Sequence, residues 1–332
     1  MNPMGCRHTR QPVILNAPMI AIHVLLTENQ LAAEFVAAFE ARSLPEKFFY
    51  WLPLSVRAWL ALCSDGAYRN FVRSRSLIAR TAPELARLYP AAPLEVLSLG
   101  AGQGDKDLLL LEALREQGAR SAYIPVDTSQ ALLEMACGGA LRAGIAAQGI
   151  KADFTRPEQL LSLAAEPEAP PRLVLLLGNT LGAFDPIAAA RQLRQLLRAD
   201  DALLVDGELY AGDATVAGYD NPLNRRFAWA PLHSVGIGDA DGALVFEARD
   251  DPRLPGLHLI AKHFSATRAV EARMGGGGEA VRIGRGERLE MNHSYKYAAD
   301  TLLRILSDAG LAVRWQAASD DQRFLMALAS PA

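Results

Sequence analysis

Cysteine is scarce. Three residues in 332, Cys6, Cys63 and Cys137, are odd in number and far apart, with no CxxC pair or zinc spacing. This excludes a disulfide framework and fits free thiols in a reducing compartment. Long apolar runs are also missing: the stretch APMIAIHVLL, 17–26, is too short to span a bilayer and lacks a cleavage site. A cytoplasmic protein with no membrane partner is therefore expected. No charge of one sign dominates, with 34 basic and 37 acidic residues and a net charge of −3. Without a basic stripe, no nucleic-acid partner is expected. The basic run Arg69 to Arg80 alternates with apolar residues, as the solvated face of a helix does. There is no GxSxG elbow, no GK[ST] phosphate loop and no histidine triad. His258 and His263 lie five apart in a strand-like stretch and face opposite sides, so no metal site is expected.

Helical periodicity runs from Glu28 to about Leu88, broken at Pro45 and Pro53. After Pro90 and Pro93 the texture changes. LEVLSLG (94–100), SAYIPVD (121–127), GIKADF (149–154), RLVLLLG (172–178) and ALLVDGEL (202–209) read as strands, most with a helical stretch between them. Apolar strands separated by helices predict a parallel sheet covered on both faces. Near Tyr210 the rhythm breaks. The aromatic stretch 218–232 reads as loop, and 244–291 as antiparallel strands with the GGGG turn at 275–278. A helix over 297–309 and two paired strands end the chain.

The expected fold is α/β: a Rossmann-like sheet with a second, α+β substrate domain. Residues 1–25 are read as a tail, 26–89 as the N-terminal helices of the substrate domain and 90–209 as the sheet domain. Residues 210–295 form its inserted antiparallel part and 296–332 the return to the sheet.

The glycines Gly100, Gly102 and Gly104 follow the first strand and open a helix. Their spacing differs from the G-x-G-x-x-G that seats a pyrophosphate on a helix start. Asp127 ends the next strand, where a carboxylate accepts both ribose hydroxyls. Asp153 and Phe154 end the third, suited to an adenine amino group and ring. An adenosine without a pyrophosphate fits this set. It points to S-adenosylmethionine (SAM), with S-adenosylhomocysteine as product; NAD stays open as the alternative.

LGAGQGDK, YIPVDTS, ADFTRP, LLLGNTLGAF, YDNPLNRRF and NHSYKY occur in this order. Together they resemble the histidine-specific SAM-dependent methyltransferase family, whose best-known members are histidine Nα-methyltransferases of ergothioneine biosynthesis. The likeness runs from about Leu44 to the C-terminus. It implies that Gly100 and Gly102 line the SAM site, that Lys106 holds the SAM carboxylate, Asp127 the ribose, and Asp153 with Phe154 the adenine. Tyr50 and Tyr219 match family tyrosines beside the acceptor and are the catalytic candidates. Ser294 matches a serine that contacts the acceptor side chain. The acceptor is expected to be a small molecule; the oligomeric state is not readable.

Two departures concern the acceptor. Ala183 stands where the family has Asn, with Asn179 four residues earlier as the substitute candidate. Asn292 stands where histidine methyltransferases carry Glu, and an amide offers only neutral hydrogen bonds. The expected acceptor is thus an amino acid or amino-acid derivative other than histidine, methylated on nitrogen. Histidine itself, and a SAM-binding protein with a lost acceptor site, remain the alternatives.

Overall fold

The computed structural model describes residues 20–66, 68–89, 92–273 and 280–332. Cys6, most of the segment read as a tail, Pro90 and the GGGG turn lie outside them.

In chain order, the strand β1 (Ala21–Val24) precedes four helices, α1 (Glu28–Glu40), α2 (Phe48–Trp51), α3 (Pro53–Ser64) and α4 (Arg69–Ala86). The alternating part follows: β2 (Pro93–Leu99), α5 (Asp105–Glu116), β3 (Arg120–Asp127), α6 (Gln130–Arg142), β4 (Ala146–Lys151), α7 (Pro157–Leu161), β5 (Arg172–Leu176), a 3-10 turn (Thr180–Ala183), α8 (Pro186–Leu196) and β6 (Ala202–Glu208). Then come α9 (Asp213–Tyr219), α10 (Pro222–His233), β7 (Gly242–Asp250), β8 (Leu257–Ala266), β9 (Val270–Ala272), β10 (Val281–Ile283), β11 (Arg288–Glu290) and β12 (Ser294–Tyr297). The chain ends in α11 (Ala299–Asp308), β13 (Leu311–Ala318) and β14 (Phe324–Pro331).

One eight-stranded sheet runs β1-β4-β3-β2-β5-β6-β14-β13. The first six strands are parallel; β14 and β13 are antiparallel. Every residue of β5 is buried, as the unbroken apolar run RLVLL requires once helices cover both faces. The chain leaves β2 towards β3 on one side and returns to β5 on the other. That reversal opens a crevice at the carboxyl ends of the two strands, the usual ligand position of such sheets.

Three expectations need correction. Ala21–Val24, read as tail, is an edge strand parallel to β4. Its side chains are mostly exposed, so it has no apolar alternation to betray it, and its one half-buried residue, Ile22, packs on the partner strand, against Gly149. The third strand ends at Lys151, and Asp153 and Phe154 lie beyond it in the loop. Residues 218–232 are not loop but the end of α9 and most of α10. Asn221 caps α10, its side chain accepting from the Leu223 and Asn224 amides, with Pro222 in the first turn. The aromatic residues there form a buried face rather than a ragged connection.

A separate apolar cluster joins the N-terminal helices to α10 and the β7–β11 strands, through Phe35, Phe39, Phe48, Phe49, Phe227, Trp229 and Phe264. In the second sheet β8 is central, with β7 on one edge and both β11 and β12 along the other. Glu290 pairs with His263 and Ser294 with Ile260, so the three residues 291–293 face only two, 261 and 262. This extra residue is a bulge, a device that re-aims side chains. It turns Asn292 and His293 to the lining of the main cavity. His263 is buried and takes a hydrogen bond from Arg288.

Candidate active site

The crevice over β2 and β5 widens into a cavity of about 420 Å³. Its walls come from both bodies: the loops of the main sheet on one side, and α2–α4, α9–α10, β8 and the 291–294 bulge on the other.

At the sheet end the glycine loop follows β2. Gly100, Gly102 and Gly104 all have positive φ, 68°, 57° and 80°, which side chains resist. A Cβ on Gly100 would stand 3.1 Å from the Thr180 methyl, so bare backbone is needed here. Asp127 ends β3 and is almost wholly buried. One carboxylate oxygen accepts from the Gly102 amide and the other from Ser129, both at 2.9 Å. Burial pushes its carboxyl up, and these amides oppose the shift. The group is thus held rigidly against the glycine loop, with further lone pairs to offer a ligand.

Asp153 lines the same end but is not free. Lys47 binds it at 2.8 Å, and Thr155 donates to its other oxygen from both amide and hydroxyl. Burial would raise its carboxyl, but Lys47 and Thr155 outweigh this and hold it below the usual range. Phe154 lies against Gly100 and edges onto Phe184 at 5.3 Å. Lys106, in the first turn of α5, reaches across to Gly178 and over the Phe71 ring at 5.6 Å. Gly178 has φ 88°, and a Cβ there would lie 2.3 Å from the Lys106 ammonium. Gly178→Ala is therefore expected to displace Lys106 and to weaken SAM binding about 10-fold, read by calorimetry.

At the other end Tyr219 is the centre of a buried network. Its hydroxyl receives Asn70 at 2.9 Å and Lys296 at 2.6 Å, and donates to Glu208 at 3.2 Å. Lys296 also reaches Ser294 at 2.8 Å and pairs with Glu208 at 2.7 Å. Burial, then the Glu208 charge, pushes the Tyr219 phenol well up, so it stays neutral. Ser294 completes the group, 3.1 Å from Asn179.

Asn179 lines the cavity, but its side chain is bonded mainly to the fold. The amide nitrogen donates to Ser294 and the Tyr295 carbonyl, and the oxygen accepts from the Glu208 amide. Ala183 lines the cavity as expected but brings no polar atom.

Tyr50 lines the acceptor end, and its hydroxyl donates to Glu46 at 2.7 Å. The other Glu46 oxygen accepts from Asn292. The carboxylate missing at position 292 thus stands beside it, supplied from a position 246 residues away. Burial raises the Glu46 carboxyl, and Lys262 and these hydrogen bonds oppose it. The motif reading passed over Glu46, Lys47, Glu208, Lys262 and Lys296. Only the four-residue spacing of Glu46 and Tyr50, one helical turn, was a local signal.

Among the described residues no group of three or more side chains has metal-binding geometry, and no helix is long and apolar enough to cross a membrane.

Solved structures similar to the chain include SAM-dependent methyltransferases from Clostridium acetobutylicum and Aquifex aeolicus. The first has a TM-score of 0.40 and 13% identity, covering 78% of this chain and 91% of that one. The second has a TM-score of 0.39 and 10% identity, covering 76% and 93%. Two curated relatives carry the name histidine N-alpha-methyltransferase. That of Mycobacterium tuberculosis is 30% identical over 187 residues, 54% of this chain and 56% of the relative. That of Mycolicibacterium smegmatis is 32% identical over 144 residues, 41% and 42% respectively. The chain spans about half the length of the curated relatives it matches. The sequence matches the family described as histidine-specific methyltransferase, SAM-dependent, over residues 28–231 and 254–331, most of its length. With the glycine loop, the braced Asp127 and the joined cavity in place, the chain belongs to the histidine-specific, SAM-dependent methyltransferase family.

Proposed function

We propose that this protein transfers a methyl group from SAM to the amine nitrogen of an amino acid or amino-acid derivative other than histidine. The observation that carries the reading is the single cavity, which puts the SAM-type wall and a buried polar wall face to face. The N-terminal helices and the 210–295 segment act in it as the acceptor-binding body.

SAM supplies an electrophilic methyl on a sulfonium. The protein's task is position and protonation. Gly100 and Gly102 give the adenosyl group bare backbone, Asp127 takes the ribose hydroxyls and Lys106 the carboxylate. Phe154 packs on the adenine. Asp153, already bound to Lys47, turns a remaining lone pair to the amino group.

The acceptor nitrogen must be neutral to attack, and desolvation in a closed cavity favours that form. Trp59, Tyr68, Phe71 and Phe227 line the cavity and exclude water. Tyr50 accepts an amine N–H while its own hydroxyl donates to Glu46, 2.7 Å away. The raised Glu46 carboxyl makes this pair the better proton store. Tyr219 is less suited, since its oxygen already accepts from Asn70 and Lys296.

Histidine is the second reading, and Glu46 is what favours it. Its carboxylate lies where an imidazole would need one. Against it, each Glu46 oxygen already accepts one hydrogen bond, from Tyr50 and from Asn292, and Lys262 offsets the charge that an imidazolium would pair with.

The test is histidine turnover in wild type, in Asn292→Glu and in Glu46→Gln with Asn292→Glu. Asn292→Glu alone sets two carboxylates together, which cannot both ionise, so no gain is expected. The paired exchange leaves one carboxylate in the family's position and is expected to raise histidine turnover about 10-fold or more. Wild-type preference for histidine over all other amino acids would overturn the substrate reading.

A further inference from the structure

One end of the cavity contains polar groups that the fold leaves unmet: Lys262, Asn292 and, next to it, the buried Nε2 of His293. Lys262, on β8, is 6% exposed, yet its ammonium has no hydrogen-bond partner among the described residues. It lies over the rings of Phe49 at 5.2 Å and Phe227 at 6.0 Å and lines the cavity. Asn292, also 6% exposed, spends its amide nitrogen on Glu46 and leaves its buried carbonyl oxygen unpaired. The two are neighbours through the bulge, where the Met291 amide donates to the Lys262 carbonyl at 2.9 Å.

Buried polar groups without partners are rare in folded proteins and are costly to leave so. Here Lys262 is a donor and Asn292 an acceptor, while His293 Nε2 takes either role with its tautomer and so adapts to what the first two select. Charge is already balanced, because Glu46 offsets Lys262 and accepts from Tyr50 and Asn292. Burial pushes the Lys262 ammonium down to about 8, against the pull of Glu46, so it stays mainly protonated at neutral pH. A net anion would face Glu46 and would offer Asn292 no proton. A net cation would face Lys262. What meets both demands is a neutral planar group with a carbonyl oxygen beside an N–H.

We infer that the acceptor's side chain ends in an amide-type group, a carboxamide or a ureido group, whose oxygen accepts from Lys262 and whose N–H donates to the Asn292 carbonyl. This rests on the methyl-transfer reading above and narrows its substrate. No covalent change occurs at this end; both residues bind and orient.

The experiment measures acceptor affinity by calorimetry with S-adenosylhomocysteine bound, using glutamine, asparagine, citrulline, glutamate, lysine and histidine. An amide or ureido acceptor is expected to bind at least about 10-fold more tightly than glutamate, lysine or histidine. Lys262→Met, which keeps the contact with the aromatic rings, should weaken that acceptor about 10-fold or more. Lys262→Arg should retain most of the affinity, and Asn292→Leu should erase the preference for the amide over its acid. S-adenosylhomocysteine affinity should hold in every variant, which separates a binding effect from a folding one. Tighter binding of glutamate or lysine by wild type, or equal affinities in Lys262→Met, would overturn this inference alone; tighter binding of histidine would overturn the non-histidine substrate reading with it. Absence of S-adenosylhomocysteine binding by the wild type would overturn the methyl-transfer reading with it.

Discussion

Asp127→Ala is expected to weaken SAM binding on the order of 100-fold. The carboxylate sits at the end of β3 with each oxygen fixed by a backbone amide, Gly102 on one side and Ser129 on the other. That bracing sets its orientation before any ligand arrives, so little ordering is lost on binding. Without it, two ribose hydroxyls would leave water for a wall that accepts neither, at about 1–3 kcal/mol each. Asp127→Asn keeps the shape and one acceptor oxygen, and should fall between the two. Calorimetric titration with SAM reads the effect directly. An unchanged dissociation constant in Asp127→Ala would remove this residue from the cofactor site.

Glu208→Ala is expected to cost about 3–5 kcal/mol of stability. Lys296 is fully buried, and among the described residues Glu208 is its one carboxylate partner within salt-bridge distance, at 2.7 Å. Deleting the acid leaves an ammonium hydrogen-bonded to the Tyr219 and Ser294 hydroxyls, with Glu46 as a more distant charge. It also takes an acceptor from Asn70 and Tyr219. Thermal unfolding followed by circular dichroism should show a drop on the order of 10 °C. Glu208→Gln with Lys296→Met removes both charges and should recover much of the loss, since a neutral pair carries no desolvated ion. A change below about 1 kcal/mol in Glu208→Ala would mean that the pair is not ionised in the folded protein.

The main sheet was readable because its strands are apolar and its turns are marked. LEVLSLG and RLVLLLG have no other stable place than a covered parallel sheet, and the three glycines announce a close approach of backbone to ligand. The edge strand AIHV was not readable, since an exposed strand held by backbone bonds leaves no side-chain period. In 218–232 the aromatic residues hid a helix, although Asn221-Pro222 is an ordinary helix start.

The SAM end was read from motifs with local spacing. The acceptor end was read poorly, because its chemistry is assembled across the chain. Glu46 reaches Asn292, and Lys47 reaches Asp153, 106 residues on. Asn179 is a binding candidate by type and lines the cavity, yet both its donors go to Ser294 and the Tyr295 carbonyl, and its oxygen braces the Glu208 amide. Residue type alone does not say whether a polar group faces the ligand or the fold.

The measurement that bears most directly on the account is transfer of a labelled methyl group from SAM to a pool of amino acids and their derivatives, read by mass spectrometry. The expected result is label on the amine nitrogen of one acceptor class, with an amide-type side chain favoured and histidine turned over more slowly. Label on histidine ahead of every other acceptor, or no label on any of them, would contradict it.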